Sequence, residues 1–470
     1  MSFLLTIAAS SFFLPQFLSY LLNNDTKNSF VLSYAKSLKL NAYFQHQRRN
    51  HAVGSFIWIK STASLIDDNP EYTIELADFY LNDGKNNKAI FWYQQAIKSG
   101  FDSKRPTLAE LFFTRAKYQQ AKALLAPPIN YSDEHDFEKS LILLIKIALI
   151  EGDLAQVKKL SSMLESIHFQ HPLLMELVKF QVYSLSSVNN DIAPNIRFKN
   201  AANEGELSEN CIASIEFFAT NLADLRYTKQ LINQVKSLPL SKYSCFKSVR
   251  YIPLDKLDCV HENDEAITCN EAIWQAYSKN IQTRFIGVLV PKGGAKVHNG
   301  ILYLDSEDTV DVFAHELAHL FGFIDEYSLP LNHTRCSRAQ EHAFAQNVAV
   351  LKKEYSGERS EIRNTVLTQL PWRAFIKDET PILTKRGDKW LLGTPSKYKS
   401  DVGLFLSDTC QKVTSVKQTN FQAYKPLAKR TSLHYFELEF PLLYQRLLEK
   451  NTKAFLMPSY HRNIEKALNH

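Results

Sequence analysis

His315-Glu316-Leu317-Ala318-His319-Leu320-Phe321-Gly322-Phe323-Ile324-Asp325 brings two imidazoles, two carboxylates and a flexible turn residue into eleven consecutive positions. On an α-helix, residues four apart stack on one face, so the His315 and His319 rings can reach one metal ion. Glu316 projects about 100° further round the helix axis, where it can stand beside a metal-bound water without taking a coordination position. Gly322 allows a sharp turn after the helix, and Asp325 can then return a carboxylate as third ligand. This chemistry predicts one catalytic Zn2+ and a zinc-dependent hydrolase of peptide bonds in which Glu316 is the general base.

The flanking residues support a helix seated on a core rather than a solvated surface helix. Gly300-Ile301-Leu302-Tyr303-Leu304 reads as a strand, and Asp305 or Ser306 is placed to cap the helix that follows. Phe313, Leu317 and Leu320 recur at i, i+4 and i+7 and predict a buried stripe that turns the histidines toward a cleft. For the third ligand, Asp325 lies ten residues after His315, the place that the extended zinc pattern gives to its third ligand. Glu326 is the alternative if the turn is one residue looser, and Glu341 if the ligand comes from a later helix. An anionic third ligand leaves the bound water less acidic, which makes Glu316 more necessary as proton acceptor.

His315 to Tyr327, ending Asp325-Glu326-Tyr327, resembles the metzincin zinc peptidases and, among them, the IgA-peptidase family, whose zinc helix also runs into Asp-Glu-Tyr. The stretch before it agrees. Arg284 to Val290 reads as a core strand, Lys292 to Gly300 as a Gly-containing loop, and the next strand enters the helix. The resemblance spans about residues 245 to 330. It implies that the second strand region supplies an edge strand binding substrate in extended form. It also implies a methionine turn beneath the metal, and the chain has only Met1, Met163, Met175 and Met457. Two segments are candidates for that place: Met457-Pro458-Ser459-Tyr460, and Ser407-Asp408-Thr409-Cys410-Gln411 with Gln411 where methionine is expected. Donors to the reacting oxyanion would be Tyr327, or Tyr460 and His461 if Met457 forms the turn.

At 470 residues, the chain is long for one core and predicts two or three domains. Only 14 glycines disfavour a mainly β protein. The net charge of +6 is mild and dispersed, apart from a basic stretch from Lys385 to Lys399, and no aromatic–basic interleaving points to nucleic acid. The six cysteines (Cys211, Cys245, Cys259, Cys269, Cys336 and Cys410) all lie in the second half without a C-x-x-C pair. That pattern favours disulfides over metal binding, with Cys259–Cys269 and Cys336–Cys410 the readiest pairs, and six reduced thiols the alternative. Met1 to Leu22 carries no charge and is mostly apolar, but lacks a basic start and contains Pro15. Export to the periplasm or the exterior is the expectation, with a loose membrane anchor through this segment as the other option.

Residues 26–235 read as consecutive amphipathic helices. Gly84-Lys85-Asn86-Asn87-Lys88-Ala89, Ala116-Lys117-Tyr118-Gln119-Gln120-Ala121 and Gly152-Asp153-Leu154-Ala155-Gln156-Val157 share one pattern, a small residue at a turn and a small apolar residue five positions later. Gly84, Ala116 and Gly152 lie 32 and 36 residues apart, bracketing the period of about 34 of tetratricopeptide repeats. These phrases resemble tetratricopeptide or Sel1-like units, which implies a concave surface for peptides or a protein partner. The expected architecture is multidomain. It comprises an apolar segment (1–25), an α-helical, solenoid-like repeat domain (26–235) and an α+β, metzincin-like zinc metallopeptidase domain (236–470). The competing functional expectation is a helical-repeat binding module with a structural or vestigial zinc site. A zinc hydrolase acting on bonds other than peptides is a third.

Overall fold

The computed structural model describes residues 2–126, 133–185, 211–260, 267, 269–277, 280–330, 333–414 and 420–460. The chain has a helical first half and an α/β second half with small sheets. It divides into two compact units: Met1–Ile147 with Ser166–Phe169, and Ala148–Glu165 with Gln170–His470.

The first half contains α1 (Ser2–Asn23), α2 (Ser29–Ser37), α3 (Asn41–Asn50), α4 (Phe56–Ser64), α5 (Tyr72–Asn82), α6 (Asn86–Lys98), α7 (Arg105–Phe113), α8 (Tyr118–Leu125), α9 (Glu134–Ile150), α10 (Leu154–Ile167) and α11 (Pro172–Lys179). Helix α1 contains Pro15, and none of the described helices is long and apolar enough to cross a membrane. Helices α3 and α4, α5 and α6, and α7 and α8 pack as successive pairs. The repeated sequence phrase has a physical basis. Gly84, Ala116 and Gly152 all adopt positive φ, at 71°, 56° and 76°, directly before α6, α8 and α10. That left-handed step ends one helix and starts the next. The residues five positions on, Ala89, Ala121 and Val157, are buried. Asn189 to Asn210, whose polar sequence with Pro194 and Gly205 reads as a loop between helical units, falls outside the described residues.

The second unit is built on a five-stranded sheet. Its strands are β1 (Ala213–Ala219), β2 (Ser244–Tyr251), β3 (Phe285–Val290), β4 (Lys296–His298) and β5 (Ile301–Asp305), in the order β2-β1-β3-β5-β4. All neighbours run parallel except β4, an antiparallel edge strand on β5. This corrects two expectations. The domain boundary at 235/236 falls inside the sheet, because β1 and the crossover helix α12 (Leu222–Val235) belong to it. A parallel central strand is buried on both faces and loses the alternation that marks a strand, so Ala213–Ala219 is as compatible with a buried helix segment as with a strand. In addition, Ile301–Asp305 is not the edge. That place is taken by Lys296–His298, within the stretch read as a loop.

Period-two alternation distributes the core. Phe218, Ile286, Val288, Val290, Ile301 and Tyr303 share one cluster with Trp274, in the short helix α14 (Ile273–Tyr277) that follows α13 (Leu254–Leu257). Phe217 faces the other way, where its ring meets Phe313 of α15 (Val310–Leu320) at 5.4 Å. Phe246 of β2 adds a second edge-on contact to Phe313 at 6.0 Å. Phe313, Leu317 and Leu320 are fully buried, so the i, i+4, i+7 stripe anchors α15 to the sheet.

After α15 come α16 (Arg359–Thr368), α17 (Gln411–Thr414), α18 (Leu442–Lys450) and two small antiparallel sheets. One joins β6 (Ala349–Lys352), β10 (Phe405–Leu406) and β11 (Phe421–Lys425). The other joins β7 (Glu354–Tyr355), β8 (Leu383–Arg386) and β9 (Lys389–Leu392). Trp372 is fully buried, with its indole N–H donating to Gly403 O at 2.9 Å, so it fills a core. The cysteines form three disulfides: Cys211–Cys245, Cys259–Cys269 and Cys336–Cys410. They are compatible with an exported protein.

Gly322, at φ 82°, ends α15, and a Cβ there would lie 2.1 Å from Phe455 O. Gly322→Ala therefore combines left-handed strain with a backbone clash, and should lower unfolding free energy by about 2–3 kcal/mol. Denaturant unfolding of the two proteins checks this. Equal midpoints would remove the steric account.

Candidate metal-binding site

Helix α15 begins at Thr309, whose side chain accepts from Val312 N at 3.5 Å. The cap is Thr309 rather than Asp305 or Ser306, and the Asp305 carboxylate accepts instead from Gly293 N, Gly294 N and Glu307 N. The helix ends at Leu320. Gly322 reverses the chain, and Phe323 N bonds back to Ala318 O at 3.3 Å. This reversal returns Asp325 to the face that carries the histidines.

The imidazoles are held on both sides. Each Nδ1 lies against a backbone carbonyl, His315 on Ser432 O at 2.8 Å and His319 on Phe323 O at 3.0 Å. A carbonyl only accepts, so each Nδ1 carries a hydrogen and each Nε2 is directed away. The two Nε2 atoms converge on Asp325 Oδ1, at 2.9 Å from His315 and 3.3 Å from His319. Donors bound to one tetrahedral zinc at about 2.0–2.1 Å stand about 3.3 Å apart, so these spacings suit a shared ion. The ligand-capable atoms of His315, Glu316 and His319 also lie within 4.8 Å of one another. Both groupings share the two imidazoles. Asp325 is the better third ligand because it faces both Nε2 atoms, which leaves the Glu316 carboxylate beside them. The donor set therefore fits a divalent cation such as Zn2+.

Electrostatics sharpen the distinction between the carboxyls. Burial pushes Glu316 above its ordinary range, against the downward pull of His319 and His315 and with a smaller upward push from Asp325. Burial also acts upward on Asp325, but the two imidazoles overcome it and hold that carboxyl well below its usual value. Burial by itself would lower His319. The Asp325 carboxylate outweighs it and raises the imidazole to about 9 in the metal-free protein.

The alternative ligands are placed elsewhere. Glu326 is fully buried and turned to Lys425 Nζ at 2.7 Å, Tyr444 OH and Asn347 Nδ2. The Glu341 side chain is 76% exposed and lies 3.9 Å from Arg338. Tyr327 stacks on His315 with ring centroids 6.3 Å apart, and Phe436 meets the same ring edge-on at 6.4 Å. Both are partly exposed, at 42% and 44%, and form an aromatic rim. Tyr460 sits instead in the apolar cluster with Trp274 and Ile301, and His461 lies outside the described residues.

Neither segment proposed for the turn beneath the metal carries the hydrogen bond to a histidine. Met457 is at the end of α15, with its N–H on Leu320 O at 2.9 Å and its sulfur 3.3 Å from Gly300 N. In the Ser407–Gln411 segment, Thr409 Oγ1 donates to Asp325 O at 2.8 Å and Ser407 Oγ to Glu326 O at 3.3 Å, while Gln411 is exposed. The contact to His315 comes from Thr431–Leu433, through Ser432 O. Leu433 is fully buried, and its carbonyl accepts from Glu326 N at 2.8 Å. Sequence reasoning missed this segment. Its contribution is a main-chain carbonyl 117 positions from the histidine, and no residue type or spacing advertises it.

No family model matches this chain, and no curated protein matches it either.

Metal must displace the proton that His319 holds up to about pH 9 in the metal-free protein. Apparent Zn2+ affinity should therefore rise by up to about tenfold per pH unit through the neutral and mildly alkaline range, then level off above the His319 value. Competition titrations against a chelator across that range measure the slope. A flat profile would show that His319 is neutral before the metal arrives.

Proposed function

We propose that the chain is a zinc-dependent metalloendopeptidase in which His315, His319 and Asp325 hold the ion and Glu316 is the general base. The observation that carries this reading is the convergence of the two Nε2 atoms on Asp325 Oδ1, with a buried carboxyl left over beside them. Zinc, when bound, would act as a Lewis acid that polarises the scissile carbonyl and makes water more acidic.

The chain's own residues supply the rest. Glu316, raised by burial, accepts the proton of the attacking water and delivers it to the departing amine. The Nδ1–H bonds to Ser432 O and Phe323 O hold both rings in the tautomer that leaves Nε2 free to ligate. Burial raises the Tyr327 hydroxyl above its ordinary value, with Asp325 and Glu316 adding to it. It remains protonated at neutral pH and can donate to the developing oxyanion. Along the edge of the sheet, β4 offers main-chain groups to a substrate in extended form. The helical pairs of the first half offer a surface for a substrate or partner protein.

Glu316→Gln is expected to retain one Zn2+ per chain while peptide cleavage falls by about a thousandfold or more. Metal analysis and hydrolysis of a diverse peptide library by both proteins test this together. Undiminished cleavage by the variant would exclude Glu316 as base. A metal-loaded native chain that cleaves no peptide would favour the binding-module reading.

A further inference from the structure

Beside the ligand turn lies an ion pair that the proposed chemistry does not use. Glu326 is 0% exposed, and the Lys425 side chain opposite it is 5% exposed. Lys425 Nζ donates to Glu326 Oε2 at 2.7 Å and to Lys429 O at 3.0 Å, while the other Glu326 oxygen accepts from Tyr444 OH and Asn347 Nδ2. A charge pair sequestered this way contributes little net stability relative to apolar residues of the same shape. Its placement therefore calls for another reason.

The connections supply one. Glu326 follows Asp325, and its own N–H donates to Leu433 O at 2.8 Å, next to the Ser432 carbonyl on which His315 rests. Asn347 holds Ile324, on the other side of Asp325, by both N–H and C=O at 3.0 and 2.9 Å. The same Asn347 amide also donates to Glu326 at 3.2 Å. The Glu326 carboxylate thus ties the Asp325 turn to β11 through Lys425 and to α18 through Tyr444, and the Glu326 main-chain N–H ties the same turn to the segment supporting His315.

We infer that Glu326 and Lys425 are positioning residues that fix the Asp325 carboxylate and the Ser432 carbonyl relative to each other, and so set the geometry and strength of metal binding. This inference rests on the metal-site reading above but not on peptide cleavage.

The probe is Co2+, whose visible absorption reports ligand number and geometry, added to the full chain. Lys425→Met and Glu326→Gln should each weaken Co2+ binding by about 10–100-fold and change the visible band. The double variant Glu326→Gln/Lys425→Met buries no charge, so it should recover much of the thermal stability lost by either single variant. Its Co2+ affinity and spectrum should remain altered. If the double variant regains native affinity and spectrum together with stability, or if any folded variant binds Co2+ as the native chain does, the pair is only structural and the inference fails. A native chain that binds Co2+ but cleaves no peptide would overturn the endopeptidase proposal and leave this one standing. A native chain that takes up no Co2+ would overturn both.

Discussion

Two hydrogen bonds from imidazole N–H groups to main-chain carbonyls, His315 to Ser432 and His319 to Phe323, determine what the rest of the site can be. An imidazole four residues from another on a helix only has the right spacing. Without a partner for Nδ1 it rotates and exchanges tautomers, and its lone pair has no fixed direction. Each carbonyl removes that freedom. One is local, supplied by the turn that Gly322 makes possible. The other depends on a distant segment, held to the Asp325 turn where Leu433 O accepts from Glu326 N.

The sheet has the complementary task. Phe217 and Phe246 grip Phe313, and the fully buried Leu317 and Leu320 complete the anchored face of α15. The opposite face presents the histidines from a fixed base, and Glu316 stands between that face and the buried stripe. Asp325 then closes the group from outside the helix. The division of labour between carboxyls follows from their surroundings. Asp325 faces two imidazoles and stays ionised, while Glu316 is affected chiefly by burial and is raised.

Much of this is local, and local features are legible in sequence. The stripe Phe313, Leu317, Leu320, the turn at Gly322, the return of Asp325 and the left-handed steps at Gly84, Ala116 and Gly152 each depend on a few neighbouring residues. So does the Cys259–Cys269 loop. What was not legible is collective. Ala213–Ala219 is a strand because other strands flank it, and its apolar run carries no period to say so. Asp305 looks like a helix cap by position but is claimed by Gly293 and Gly294. Glu326 stays open as the alternative to Asp325 until Lys425 is seen beside it, 99 residues along the chain. The support beneath His315 is a main-chain atom, and side-chain identity does not encode it.

The distance between His315 and its carbonyl at Ser432 also orders events in time. A ribosome makes the chain from the N-terminus, and domains tend to fold as they emerge. The sheet and α15 are complete long before residue 432 exists, so a nascent chain holds two histidines whose second anchor has not yet been made. The roughly hundred residues between α15 and Ser432, at about 5–20 residues per second, make that interval on the order of several seconds or more. The support beneath His315 is thus made well after the helix that carries the ring.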